Sequence, residues 1–265
     1  MPSVLVTNDD GIEAPGLKAL VKSLSKEGFR VYVVAPRHPS SGTGKSVRFD
    51  HAKYFEVNYS GAHRAWWVDS TPATCVYVAL NSLLPEPPDV VVSGINRGPN
   101  MGFEDFLTSG TIGAAIESSL HGVFSLAVSL ATDSGFSEDE YRIAARVSAL
   151  LVKAVLISAS RSFDMLNVNV PVKPIGVRVT RLAWNNYKIA LKNEGSIVKP
   201  VNRGFKDRYW DVAEGSDVWA VLNGYISITP VSLRTMAKVA ATGDSLREAE
   251  ELIKPLLRLD TFSSL

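Results

Sequence analysis

A short apolar run, Val4-Leu5-Val6, leads through Thr7 into Asn8-Asp9-Asp10-Gly11, and no other feature of the chain restricts its fold as strongly. The run reads as a buried strand and Gly11 as the tight turn that ends it. Ala14-Pro15-Gly16-Leu17-Lys18-Ala19-Leu20-Val21 then opens a helix with a proline near its first turn. Open α/β sheets bind their ligands at the carboxyl ends of such strands, where these two adjacent carboxylates fall. Like charges about 4 Å apart repel by roughly 4 kcal/mol at an effective dielectric near 20. A pair so placed shares a proton or holds a cation, and a cation is the expectation. The competing reading is that one aspartate merely caps the helix after the turn.

The same strand, loop and helix order recurs. Val31 to Ala35 is a second apolar strand, ended by Pro36 and followed by the small-residue loop Pro39 to Gly44. Tyr54 to Val57 and Ala65 to Val68 read as strands around a Ser60-Gly61 turn. Thr71-Pro72 caps and starts a helix to about Leu83. Asp89 to Ser93 is a buried strand, Gly94 to Gly102 a glycine-rich loop, Ser109 to Leu120 a helix, Phe124 to Leu130 a strand, and Ser137 to Ser158 a long helix. That order specifies an α/β fold, a doubly wound, mostly parallel, Rossmann-like sheet with helices on both faces.

Residues 1–165 form this core of a single domain spanning 1–265. Beyond Met165 come strands at Val168 to Pro171, Gly176 to Leu182 and Tyr225 to Thr229, then a closing helix, Leu246 to Leu257. Trp184 to Trp219 lacks a helical period and reads as an extended hairpin arm, more suited to subunit contact than to catalysis.

At 265 residues and 46% hydrophobic, the chain buries a large core without covalent staples. A net charge of +1 supplies no global field for nucleic acid or membrane. The lone Cys75 excludes an intrachain disulfide framework and reads as a packed core residue. No signal peptide is visible at Met1-Pro2-Ser3, and the longest apolar stretch, Val147 to Ala159, contains Lys153 and is too short to span a bilayer. A cytoplasmic protein is expected.

Three polar loops, Asn8 to Gly11, Arg37 to Gly44 and Gly94 to Gly102, follow three apolar strands and converge at one edge of a parallel sheet. Asp9 and Asp10, a serine hydroxyl of the second loop and the Asn96 carbonyl make an oxygen-rich set suited to magnesium or manganese, and less selectively to calcium. Asn8, Asp9 and Asp10 are the candidate catalytic residues. Ser109-Gly110-Thr111 opens a helix with exposed N–H groups and hydroxyls, either an ordinary cap or, beside a metal, a phosphate clamp. It is not a P-loop, and Ser41 is not in a nucleophile elbow. His38 reads as a solvated loop residue, Lys45 and Arg48 as an exposed cationic face, and Trp66-Trp67 as packing rather than a base-stacking platform.

Taken in order, Val6-Thr7-Asn8-Asp9-Asp10-Gly11, Ala35-Pro36 with Ser41-Gly42, Ser93-Gly94-Ile95-Asn96-Arg97-Gly98-Pro99-Asn100-Met101-Gly102 and Ser109-Gly110-Thr111 closely resemble the SurE family of metal-dependent nucleotidases. Asn167-Val168-Asn169-Val170-Pro171 and Gly224 to Pro230 look similar as well. The resemblance implies one divalent ion per subunit held by Asp9, Asp10, Ser41 and Asn96, with Ser41 preferred to Ser40 by its place after Ala35 and before Gly42. It implies a phosphate pocket lined by Asn100, Ser109, Gly110 and Thr111. It further implies hydrolysis of nucleoside 5'- and 3'-monophosphates, with short polyphosphate as a further substrate, and a homodimer or homotetramer that exchanges C-terminal arms. No membrane and no stable nucleic-acid complex is expected. One departure is that Val231-Ser232-Leu233-Arg234-Thr235 lacks an aspartate that bacterial members often carry there. The rival functional reading is a sensor that binds nucleotide in the same pocket without hydrolysing it.

Overall fold

The computed structural model describes residues 1–133, 138–158, 161–184, 191–201, 209, 212–239, 243 and 247. Strand β1 (Ser3–Thr7) is followed by α1 (Pro15–Lys26), β2 (Arg30–Pro36), β3 (Tyr54–Val57), β4 (Arg64–Val68) and α2 (Pro72–Val78), which runs into a π-helical turn, Ala79–Leu83. Next come β5 (Val90–Arg97), α3 (Gly102–Thr108), α4 (Gly110–Leu120), β6 (Ser125–Ala131), α5 (Glu138–Ile157), β7 (Met165–Pro171) and β8 (Gly176–Val179). An antiparallel pair, β9 (Leu191–Glu194) and β10 (Ile197–Pro200), precedes α6 (Asp217–Leu222), β11 (Tyr225–Val231) and α7 (Leu233–Val239).

Two units are distinguished, Met1–Val231 and Ser232–Leu265. The first holds a nine-stranded sheet in the order β3-β4-β2-β1-β5-β6-β7-β11-β8. From β4 to β7 the neighbours are parallel, while β3 lies antiparallel on β4 and β11 antiparallel on β7. In the second unit Ser232 precedes α7, and its hydroxyl accepts from Thr235 N at 3.2 Å. The expected closing helix, Leu246 to Leu257, lies outside the described residues.

Side-chain alternation along β1 shows why helices cover both faces. Val4 and Val6 pack with Leu17, Leu20, Val21 and Leu24 of α1 and with α5, whereas Leu5 faces Cys75 and Val76 of α2. Each of those α1 side chains is fully buried, a gain of about 1.5–3 kcal/mol apiece before entropy. Cys75 is a core residue, and burial holds its thiol well above the usual range. The chain leaves β1 toward β2 on one side and returns as β5 on the other. The β1/β5 boundary is therefore the switch point of the sheet, where a crevice opens at the carboxyl ends.

Several sequence boundaries move. Strand β5 continues past Ser93 through Asn96 and Arg97, with a register shift against β6 between Ser93 and Asn96. Gly94 makes this possible: its φ is +144°, and a Cβ there would stand 2.4 Å from the Val128 carbonyl oxygen. Helix α3 replaces what reads as loop and helix start, because Asp105 accepts from Met101 N at 3.0 Å across its first turn. The arm is shorter than Trp184 to Trp219. Its exposed pair lies at 191–200, and Asp217 begins a buried helix capped by Ser216, whose hydroxyl accepts from Trp219 N at 3.2 Å. Residues 185–190, 202–208, 210 and 211 of that stretch lie outside the described residues. Trp66 is buried in the α2-facing core and Trp67 stacks on Phe55 at 4.7 Å, so both pack as expected.

Helix α1 presses directly on β5 through Gly16, where a Cβ would meet the Ile95 carbonyl oxygen at 2.2 Å and the Tyr141 ring at 2.9 Å. Backbone cannot yield as a flexible side chain does. Gly16→Ala is therefore expected to lower stability by about 1–3 kcal/mol in urea unfolding despite its better helix propensity. A stability equal to wild type would mean that α1 does not bear on β5.

Candidate active site

At the end of β1, Asn8 donates from Nδ2 to the Gly11 carbonyl at 2.9 Å and so closes the turn. Its buried Oδ1 has no protein partner, and neither do the buried hydroxyls of Thr7 and Ser93 on the paired ends of β1 and β5. The two aspartates diverge. Asp9, 3% exposed, accepts the Thr111 hydroxyl at 2.7 Å and also the Thr111 backbone N–H. Asp10 accepts the Arg97 N–H at 2.9 Å, which ties the first loop to the end of β5 beside Asn96.

Neither aspartate caps α1. That helix begins at Ala14 with no side-chain cap, so the plain capping reading fails for the helix it concerned. Asp9 instead occupies the amino end of α4, where the helix dipole and Thr111 favour a negative charge. Burial still dominates. It pushes the Asp9 carboxyl up to about 7, with Asp10 adding repulsion and Thr111 opposing both. Asp10 is raised too, by burial first, against the pull of Arg97.

The second loop reaches the same place. Ser40 N donates to the Asp9 carbonyl at 2.7 Å, and the Thr43 hydroxyl donates to the Ser40 carbonyl at 2.9 Å. Ser41 is the next residue and is exposed, as is His38. The far side of this loop is fixed to the end of α3 and the start of α4. Gly44 N donates to the Thr108 carbonyl at 2.8 Å, and a Cβ on Gly113 would stand 2.1 Å from the Gly44 carbonyl oxygen. Lys45 is not simply part of an exposed cationic face: its Nζ lies 2.6 Å from Oε2 of the buried Glu117, whose other oxygen is 3.1 Å from His121 Nε2. Arg48 pairs with Asp50 at the surface, as a solvated cation should.

Of the third loop, Asn96 donates from Nδ2 to the Gly98 carbonyl at 2.9 Å, which leaves Oδ1 as the amide atom for a cation. Asn100 is held more rigidly. Its N–H donates to Asn169 Oδ1 at 2.8 Å, its carbonyl accepts from Asn167 and Asn169 at 3.0 and 2.9 Å, and its Nδ2 donates to the Ser129 hydroxyl at 2.8 Å. One N–H of the Asn100 amide is thus taken by β6. Ser109 caps α4, accepting from Ile112 N at 3.3 Å, and its hydroxyl proton remains available to a ligand. Gly110 must be small, because a Cβ there would meet Asp9 Cβ at 2.9 Å.

The residues that sequence reasoning missed are the supports: Asn167 and Asn169 of β7, Ser129 of β6, Glu117 of α4 and Asp217 of α6. Asn167 and Asn169 carried a signal, two amides at period two on a strand otherwise apolar. Asp217 gave none. Fully buried, it accepts from Gly102 N at 2.8 Å, Ala183 N at 2.9 Å and Val218 N at 2.8 Å, and so joins the third loop to the C-terminal strands.

A titration follows from the buried carboxylate. In metal-free buffer the unfolded Asp9 releases its proton near 3.8, whereas the folded protein holds it to about 7. The native state binds more protons in that window, so this contribution to stability falls as pH rises through it and is constant above. Asp9→Asn is expected to unfold in urea with a flatter pH dependence than wild type between roughly pH 4 and 7. Parallel curves for the two proteins would show that Asp9 is solvated in the fold.

The model of the family described as survival protein SurE matches residues 4–189. The 5'-nucleotidase SurE of Desulforudis audaxviator is 41% identical over 251 residues, covering 87% of this chain and 91% of that protein. The 5'-nucleotidase SurE of Archaeoglobus fulgidus is 38% identical, covering 89% of this chain and 93% of its own length. The crystal structure of the SurE protein from Aquifex aeolicus superposes with a TM-score of 0.73 at 34% identity, over 90% of this chain and 98% of that one. With the buried Asp9 and the half-buried Asp10 at the switch point of a matching sheet, this chain belongs to the SurE family.

Proposed function

We propose that the protein is a metal-dependent phosphatase that hydrolyses nucleoside 5'- and 3'-monophosphates to nucleoside and phosphate. The observation that carries this reading is the buried Asp9 carboxylate against the amino end of α4, raised to about 7 by burial and by the adjacent, half-buried Asp10. The relatives named 5'-nucleotidase SurE support the choice of substrate.

The donor chemistry fits a small hard cation. Asp9 and Asp10 provide two carboxylates, and the Asn96 amide and Ser41 hydroxyl would add neutral oxygens, each one residue from a backbone N–H that bonds this pair, Arg97 N to Asp10 and Ser40 N to the Asp9 carbonyl. Among the described residues no group of three or more His, Cys, Asp or Glu side chains forms a closed cage. Magnesium and manganese suit so open a set, since they take one or two carboxylates and leave positions to water and phosphate. When bound, such an ion supplies Lewis-acid polarisation of a phosphoryl oxygen and lowers the pKa of water.

The chain's own residues do the rest. Ser109 donates its hydroxyl proton to a phosphoryl oxygen at the start of α4, where the helix dipole stabilises charge growing in the transition state. Water is the nucleophile. Attack by Asp9 itself is disfavoured, since that carboxylate is 3% exposed and engaged by Thr111. Water adds to phosphorus, the ester P–O bond breaks, and the leaving alkoxide takes a proton from solvent. The arm Leu191–Pro200 is the proposed contact of a homodimer or homotetramer, with Leu191, Ile197 and Val198 more than half exposed. Among the described residues no helix is long and apolar enough to cross a membrane.

Phosphate release from a panel of nucleoside monophosphates, scanned against magnesium and manganese, tests the proposal. Turnover with a divalent ion and none in chelator is expected. Asp10→Asn should lose at least about 100-fold in kcat/KM and bind manganese more weakly while keeping its circular dichroism spectrum. Saturable nucleotide binding with no phosphate release under any metal would establish the sensor reading instead.

A further inference from the structure

We propose that Phe103 and Trp184 form an aromatic subsite that stacks the base of the bound nucleotide, an inference that rests on the nucleotidase reading above. Phe103 lies on α3, the segment that joins Asn100 to Ser109, the two ends of the candidate phosphate pocket. Three residues of chain reach at most roughly 10 Å, which bounds the separation of the Asn100 and Phe103 backbones and keeps α3 on the segment between the two ends of that pocket.

The stacking surface is graded from core to solvent. Phe106 is 1% exposed, and Phe103 lies parallel to it, with centroids 6.3 Å apart and planes at 14°. Trp184 follows at 5.1 Å and 30° from Phe103 and is 82% exposed. The series ends in an open indole face. Its position is fixed by backbone, because Phe103 N donates to the Ala183 carbonyl at 2.9 Å. Gly102 N and Ala183 N both donate to the buried Asp217 carboxylate, at 2.8 and 2.9 Å. One side chain thus locks the aromatic pair to the loop that carries Asn100. A planar heteroaromatic ring is the occupant that this arrangement takes, since every base presents a π-face and stacking needs no hydrogen-bond readout. Discrimination among bases is accordingly weak, with purines held better than pyrimidines.

The test compares adenosine 5'-monophosphate with ribose 5-phosphate, which has the same ester and no base. Trp184 is exposed, so Trp184→Ala leaves the fold intact by thermal melting. The ratio of kcat/KM for the nucleotide over the sugar phosphate should fall roughly tenfold in Trp184→Ala, through KM, and recover in Trp184→Phe. An unchanged ratio overturns the proposal. So does a changed sedimentation coefficient with that ratio unaltered, which assigns the ring to a subunit contact. If wild type hydrolyses neither ester, the nucleotidase reading falls by itself. Equilibrium binding of adenosine 5'-monophosphate to wild type and Trp184→Ala then decides the subsite, and equal affinities overturn it.

Discussion

The Asp9 carboxylate, buried beside Asp10 at the end of a fully buried strand, is the constraint on which the surrounding structure depends. A carboxylate removed from water beside a second, half-buried one destabilises the fold, and the neighbourhood is arranged to offset this. Thr111 gives Asp9 a hydroxyl and an N–H, Arg97 gives Asp10 an N–H, and the amino end of α4 is brought against the pair. That approach explains the small residues around it. Gly110 clears Asp9, and Gly113 clears the second loop, which Lys45 and Glu117 then fasten to α4. The site is thus an unfavourable pairing of like charges held together by close packing and hydrogen bonds.

The C-terminal strands are structural partners of this site. The amides of Asn167 and Asn169 clamp the main chain of Asn100, and Asp217 accepts from Gly102 two residues further on. The third loop is therefore held from below by β7 and from the side by α6. A buried polar network is stable only when its members are satisfied, which gives Asn169 and Asp217 little freedom to vary. It also places the exposed Trp184 ring beside the same loop, because Ala183 shares the Asp217 carboxylate.

Much of this was legible in the chain. Val4-Leu5-Val6 and its successors gave the strands, because period-two burial on a two-faced sheet leaves an unbroken apolar run. The small-residue loops after three of those strands gave the crevice, because a parallel sheet sends them all to one edge. The partners of individual polar atoms were not legible. Asp9 reads as a cation ligand, with a cap for the following helix as the rival, and its hydrogen-bond partner Thr111 sits on a helix a hundred residues later. Lys45 looked solvated, and its partner lies on α4. Helices α3 and α6 were missed because six or seven residues are too few to show a period, and both are held by a buried aspartate.

The sequence alone determined the class of the sheet, the three loops that meet at its switch point, and the acidic pair between them, since all of these follow from local periodicity and the alternation of elements. Only the tertiary structure decided which carboxylate faces which helix, which amides hold Asn100, and which backbone groups Asp217 gathers. The physical reason is that hydrogen bonds and charge pairs are short-ranged and directional. They are set by the few ångströms that separate side chains once the core has closed, and distance along the chain carries no information about that separation.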